Sequence, residues 1–190
     1  MTTALISGSL SAVSRAEGKP LAQTFIGADC VVLVDTSGSM GMRDAIGGAT
    51  RYDVACSELA GLQASLPGKI AVLSFSGQNQ VMFCPDGRPH NFAGGTDLAG
   101  ALRFAKVADV PGIHFVVISD GEPDNEQLAL STARGYANRI DVIYVGSELS
   151  PRGRDFLAKL AAASGGTAVT VAAVGAQGQL SNEVRKLLAA

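Results

Sequence analysis

The sequence predicts an α/β fold: a mostly parallel sheet of six strands with one short antiparallel edge strand and helices packed against it. Three observations lead there. Apolar, β-branched runs such as Val31-Val32-Leu33-Val34 and Phe115-Val116-Val117-Ile118 read as buried strands. Segments with helical spacing alternate with them, which is the pattern of parallel strands joined by crossover helices. Finally, 47% of the residues are apolar but only 5% are aromatic, so the core is aliphatic and alanine-rich, as suits helices on a parallel sheet.

The length of 190 residues fits a single domain with a sizeable core. We read residues 1–27 as an N-terminal arm or extension and residues 28–190 as the domain itself. Residues 1–27 have no clear period. Leu21 to Ile26 reads as a strand or an extended arm that packs on the domain, with a poorly ordered terminus as the plain alternative.

The first strand spans about Asp29 to Val34 and stops at Asp35. A long loop follows through Ala49, and loops of this length are often functional. Its Met42 and Ile46 either contact a ligand or fold back on the core. Thr50 starts a helix to about Leu66, with Val54, Glu58 and Leu62 on neighbouring positions and Leu59 and Leu66 extending its apolar face; Pro67-Gly68 ends it. Lys69 to Phe75 is the second strand. Ser76-Gly77-Gln78-Asn79 is turn chemistry, so the short strand Gln80 to Cys84 runs antiparallel at the edge.

After a Pro- and Gly-rich loop, a helix runs from Asp97 to Val107. Ile113 to Ser119 is the central fourth strand. Asp124 to Gln127 has the spacing of a capping box for a helix to about Asn138, so Asp124 reads as a cap. Ile140 to Val145 is the fifth strand. Pro151 sits well at the start of a helix whose buried face carries Phe156, Leu157 and Leu160. Thr167 to Val171 is the sixth strand. Ser181 to Leu188 is a closing helix capped by Ser181 or Asn182.

Candidate chemistry concentrates where strands end. Asp35, Ser37 and Ser39 place one carboxylate and two hydroxyls in the loop leaving the first strand, the edge where open α/β sheets bind ligands. Taken alone, Asp-x-Ser-x-Ser reads equally as a turn whose hydroxyls cap the next helix. Thr96, after the Gly94-Gly95 pair, adds a hydroxyl, with capping as its rival role. Asp120 ends the fourth strand, followed by Gly121. All of these are hard oxygen donors, which suit Mg²⁺, Mn²⁺ or Ca²⁺ rather than zinc or copper.

This set resembles the metal-ion-dependent adhesion site of von Willebrand factor A (VWA) domains, with all five motif positions filled: Asp35, Ser37, Ser39, Thr96 and Asp120. The resemblance covers roughly residues 28 to 175. It implies a doubly wound, Rossmann-like sheet with helices on both faces. It also implies a divalent ion bound directly by Ser37 and Ser39, with Thr96, Asp35 and Asp120 bound directly or through water. A carboxylate from a partner protein then completes the metal shell. The forms Asp-Thr-Ser-Gly-Ser-Met and Ser-Asp-Gly-Glu-Pro look like those of stand-alone prokaryotic or phage-type VWA proteins. These serve as adaptors for ATPases, in stress or tellurite-resistance systems, or in repair and defence assemblies.

Other readings are weaker. A Mg²⁺-dependent phosphatase or phosphotransferase also places an aspartate after its first strand. The haloacid-dehalogenase pattern, however, needs a second aspartate at the position of Ser37. A structural subunit whose metal only stabilises its loops is a third class. Gly38-Ser39-Met40-Gly41 lacks the spacing of a hydrolase nucleophile elbow, and no phosphate-binding glycine motif is present. His90 and His114 have no partner nearby in sequence and read as incidental. Glu122, beside the third loop, is either an accessory acid or a solvated charge.

Net charge is −2 with no block of like charge, which favours neither nucleic acid nor an anionic membrane as partner. Cys30, Cys56 and Cys84 lack metal-type spacing and read as small hydrophobes of a reducing cytosol. Residues 1–14 lack the features of a secretory signal, and no apolar run approaches the roughly 20 residues that span a membrane. The resulting expectation is a cytoplasmic, non-enzymatic binding protein.

Overall fold

The computed structural model describes residues 5–44, 48–91, 93–146, 151–170 and 182–186. Strands β1 (Cys30–Asp35), β2 (Ile70–Phe75), β3 (Val81–Phe83), β4 (His114–Ser119), β5 (Ile140–Tyr144) and β6 (Ala168–Thr170) form one sheet in the order β3-β2-β1-β4-β5-β6. Every neighbouring pair is parallel except β2 and β3, which form the antiparallel edge hairpin the short connecting turn predicts.

The apolar runs are continuous because both faces of the sheet are covered. Strand residues alternate between faces. In β1, Val31 and Leu33 pack in one core with α4 (Leu98–Ala105), α5 (Glu126–Arg134) and α6 (Pro151–Ser164). Cys30, Val32 and Val34 pack in the other core with α3 (Arg51–Ser65) and with Val184 of a helical stretch over 182–186. Val32, Leu33 and Val34 are fully buried, each contributing on the order of 1.5–3 kcal/mol of transfer free energy. The predicted ends Val171, Ser181 and Leu188 lie outside the described residues.

Helix α3 begins on a capping box: Thr50 Oγ1 accepts from Asp53 N at 3.0 Å, and Asp53 Oδ2 accepts from Thr50 N at 3.3 Å. Its buried face carries Ala55, Glu58, Leu59, Leu62 and Gln63, while Val54 and Leu66 are half-buried. Helix α4 runs on into a 3₁₀ turn over Lys106–Ala108.

The N-terminal segment corrects one expectation and decides another. It is helical, with α1 (Leu10–Glu17) and α2 (Leu21–Ile26), so the strand or extended arm read over Leu21 to Ile26 is a helix. Pro20 occupies its N-cap, where the missing N–H forfeits no intrahelical bond, and Gly27 N closes it onto Thr24 O at 3.1 Å. The segment is also stitched down rather than loose. Gly68 N donates to Gly8 O at 2.9 Å, Ser11 N to Pro85 O at 2.8 Å and Ile6 N to Asp86 O at 3.1 Å, and Leu10 is 1% exposed. Gly8 sits at φ +77, where a Cβ would come within 2.0 Å of Gln63 O, so the docking requires glycine.

All three cysteines are free thiols; Cys30 and Cys84 are buried and Cys56 is half-buried. Burial pushes the Cys30 thiol well above its usual range, which leaves it unreactive. Among the described residues, no helix is long and apolar enough to cross a membrane.

Candidate metal centre

The strand order puts a topological switch between β1 and β4. The chain leaves β1 for α3 on one face and leaves β4 for α5 on the other, which opens a crevice at the carboxyl ends of these two strands. Asp35 closes β1 and Ser119 closes β4.

Asp35 is fully buried. Its Oδ1 accepts from Ser37 N at 2.8 Å and its Oδ2 accepts from Ser119 Oγ at 2.6 Å. Burial pushes its pKa up to about 6 against the pull of these donors, and the charge of Asp120 adds to the rise. The chain then makes a 3₁₀ turn over Gly38–Gly41, anchored by Met40, which is 1% exposed in the α3-side core. The turn brings Ser37 Oγ and Ser39 Oγ to 3.1 Å from each other. Ser39 Oγ donates to Asp120 Oδ1 at 2.9 Å. Met42 is exposed in the following loop, and Ile46 lies outside the described residues.

Thr96 reaches the same place from the loop before α4. It does not cap that helix, because Asp97 does, accepting from Gly100 N at 2.9 Å. A Cβ added to Gly121 would stand 3.7 Å from Ser39 Oγ, 3.9 Å from Asp35 Oδ2 and 3.9 Å from Thr96 Oγ1. The five predicted residues therefore surround one small space beside a glycine. Asp124 also departs from expectation. Helix α5 is capped by Asn125, whose Oδ1 accepts from Leu128 N at 2.9 Å. Asp124 instead ties the third loop to the second: its Oδ1 accepts from Thr96 N and its own N–H donates to Thr96 O, both at 3.0 Å. Glu122 pairs with Arg152 at 3.0 Å on the exposed rim, in the manner of a surface ion pair. His114 begins β4, at the end of the strand away from the crevice.

The donor set fits a hard divalent cation. It offers two carboxylates and three hydroxyls, all oxygen, in a partly buried crevice. Among the described residues, no three His, Cys, Asp or Glu side chains converge as a metal cluster. The hydroxyls of Ser37, Ser39 and Thr96 therefore stand beside the two carboxylates as the oxygen donors at this place.

One participant went unread in the sequence. Arg51, in the first turn of α3, is 6% exposed and reaches into the crevice. Its Nη1 donates to Asp120 Oδ2 at 2.5 Å. Its Nε and Nη2 donate to Asp44 Oδ1 at 3.0 Å and Oδ2 at 2.5 Å, a bidentate pair. The Arg51 bond holds the Asp44 carboxyl below its usual range. Ser119 and Asp124 were likewise unread as site-building residues.

Comparison with solved structures decides the architecture. The conserved hypothetical protein BatB from Bacteroides thetaiotaomicron superposes with a TM-score of 0.61 at 18% identity, over 86% of this chain and 100% of that one. The VWA domain of SpRpn10 superposes with a TM-score of 0.57 at 16% identity, over 83% of this chain and 93% of that one. The chain has the VWA fold. No protein-family model matches the sequence, and no curated protein does. In this VWA fold the crevice between β1 and β4 is built from the three loops that carry the candidate residues.

Proposed function

We propose that this chain is a metal-dependent protein-interaction module, non-enzymatic, in which Asp35, Ser37, Ser39, Thr96 and Asp120 hold a Mg²⁺-type ion (Mg²⁺, Mn²⁺ or Ca²⁺). The observation that carries this reading is the convergence of five oxygen-bearing side chains from three loops. Ser37, Ser39 and Asp120 are linked at 3.1 Å and 2.9 Å, with Asp35 and Thr96 alongside. A bound divalent ion supplies an electrophilic centre whose remaining position suits an anionic oxygen from outside. The set carries no more than two carboxylates, so it does not overcompensate a divalent ion. A hard cation that wants roughly six or more oxygens then has a position left for a partner's carboxylate.

The chain's own residues do the rest. Asp35 fixes the Ser37 loop through its backbone N–H, and Ser119 holds Asp35 in place. Asp124 holds Thr96 at the crevice. The partner we propose is a protein presenting an aspartate or glutamate, within a prokaryotic multiprotein system of the ATPase-associated, stress-response or defence kind.

The test has two parts. Calorimetry and thermal unfolding with Mg²⁺, Mn²⁺ and Ca²⁺ are to show saturable binding by wild type and none by the Ser37→Ala/Ser39→Ala double variant. Pull-downs with both proteins, each in Mg²⁺ and in EDTA, are to recover a partner with wild type in Mg²⁺ alone. Equal recovery under all four conditions would sink the reading.

A further inference from the structure

We propose that Arg51 is a resident counter-cation of the crevice: it neutralises Asp120 when no divalent ion is bound and yields Asp120 when one arrives. Metal binding is then an exchange of cations, opposed by Arg51 and eased by Asp44. This deepens the metal-dependent reading above and rests on it.

Position is the first argument. Arg51 stands in the first turn of α3, where the helix dipole disfavours a cation. The helix gains nothing from it there, because Thr50 and Asp53 already complete the cap. The side chain is 5% exposed, and burying a guanidinium costs heavily unless carboxylates meet it. Two do, and one of them is the Asp120 side chain, which is itself 0% exposed. The arginine is placed for the crevice.

Charge is the second argument. Asp35 and Asp120 are both buried in the crevice, and among the described residues the hydrogen bonds they accept, Arg51 aside, come from the Ser39 and Ser119 hydroxyls and the Ser37 backbone N–H. Two carboxylates in so small a space repel each other strongly in the absence of a cation. Arg51 lowers that cost. By the same physics, a divalent ion seated against Asp120 is repelled by the guanidinium.

Bonding asymmetry is the third argument, and it sets the direction of exchange. Arg51 makes two hydrogen bonds to Asp44 and one to Asp120. Releasing Asp120 costs Arg51 one bond, while Asp44 retains the guanidinium by its bidentate grip. Each Asp120 oxygen already accepts one hydrogen bond, Oδ1 from Ser39 and Oδ2 from Arg51, so an ion arriving at Oδ2 competes with the guanidinium for the same charge. Asp44, with its side chain 36% exposed in the loop before α3, is therefore the residue that receives Arg51.

The experiment measures Mg²⁺ and Mn²⁺ affinity by calorimetry, and thermal stability in EDTA, for wild type, Arg51→Gln, Arg51→Lys and Asp44→Asn. Arg51→Gln is expected to bind the divalent ion roughly tenfold or more tightly, with a lowered midpoint of unfolding in EDTA. Arg51→Lys keeps the charge and is expected to stay within a few-fold of wild type. Asp44→Asn frees Arg51 to commit to Asp120 and is expected to bind metal several-fold more weakly. A merely structural role would weaken binding in all three variants. Equal or weaker binding by a folded Arg51→Gln overturns the proposal, and so does equal or tighter binding by Asp44→Asn. If Arg51→Gln fails to fold, the Asp44→Asn and Arg51→Lys results decide. Absence of metal binding by wild type itself would overturn the underlying metal reading, and the exchange with it.

Discussion

Thr96 and Asp124 hold each other twice: Asp124 N–H donates to Thr96 O while Thr96 N–H donates to Asp124 Oδ1, both at 3.0 Å. The pair fastens the second loop of the crevice to the third. Asp124→Ala leaves the Thr96 N–H without its acceptor, at a cost of about 1–3 kcal/mol. Asp124→Asn keeps an acceptor oxygen and is expected to cost less than half as much in urea unfolding. By calorimetry, Asp124→Ala is expected to weaken divalent-ion binding less than Asp120→Ala, since it displaces Thr96 without deleting a candidate ligand.

Asp35 makes the metal-free protein sensitive to pH in an unusual sense. Its folded pKa is raised to about 6 from 3.8, burial being the main cause. Below pH 4 it is protonated in both states and costs nothing. As pH rises from about 4 to 6, the unfolded chain releases this proton first, so stability falls across that window by up to roughly 3 kcal/mol. Asp35→Asn removes the penalty. In EDTA at pH 7 the variant is expected to unfold at a higher urea concentration than wild type, and added Mg²⁺ is expected to leave it unchanged. A variant less stable than wild type at pH 7 and equal to it at pH 4 would contradict this.

Asp109 shows the opposite behaviour, away from the crevice. Burial acts to raise its pKa, but Lys106 Nζ at 2.6 Å and the donors of Ala137 and Asn138 at 2.7–3.0 Å outweigh it and hold the value at about 2. Its contribution is present above pH 4 and is lost as pH falls through about 2. Asp109→Asn is expected to cost about 2 kcal/mol at neutral pH and to flatten the acid limb of the stability curve, measured by urea unfolding at a series of pH values.

The N-terminal helices belong to the fold. Leu10 is 1% exposed and packs into the α4-side core. Leu10→Ala is expected to cost about 2–4 kcal/mol in a single cooperative transition. A separate early transition would mean that α1 melts independently.

Much of this was legible in the sequence, for identifiable reasons. Strands such as Cys30–Asp35 are buried on both faces, so their apolar runs are unbroken and stop where the chain must leave the sheet. The same abrupt stops mark Asp35 and Asp120, so the candidate ligands could be picked out at strand ends. Leu21–Ile26 was misread because six residues between Pro20 and Gly27 are too few to show a helical period. Asp124 was misread because capping spacing is a local signal, whereas its contact with Thr96 spans 28 residues. Arg51 was hidden for a related reason: a charged residue in the first turn of a helix ordinarily reads as solvated, and its bond to Asp120 spans 69 residues. The available clue was its sign, since a cation at a helix N-terminus works against the dipole and needs a carboxylate to explain it.

The hydrogen bond from Ser119 to Asp35 joins residues 84 apart in the chain. Those two side chains meet only once β4 has docked beside β1, a non-local pairing whose loop-closure entropy must be met before the contact forms. Anything that binds the crevice therefore recognises the docked strand pair and not the separate strands. Such a ligand is expected to lengthen the lifetime of the native state. If the crevice is absent from the transition state, it does so by slowing unfolding with refolding unchanged, which stopped-flow unfolding and refolding with and without Mg²⁺ would read.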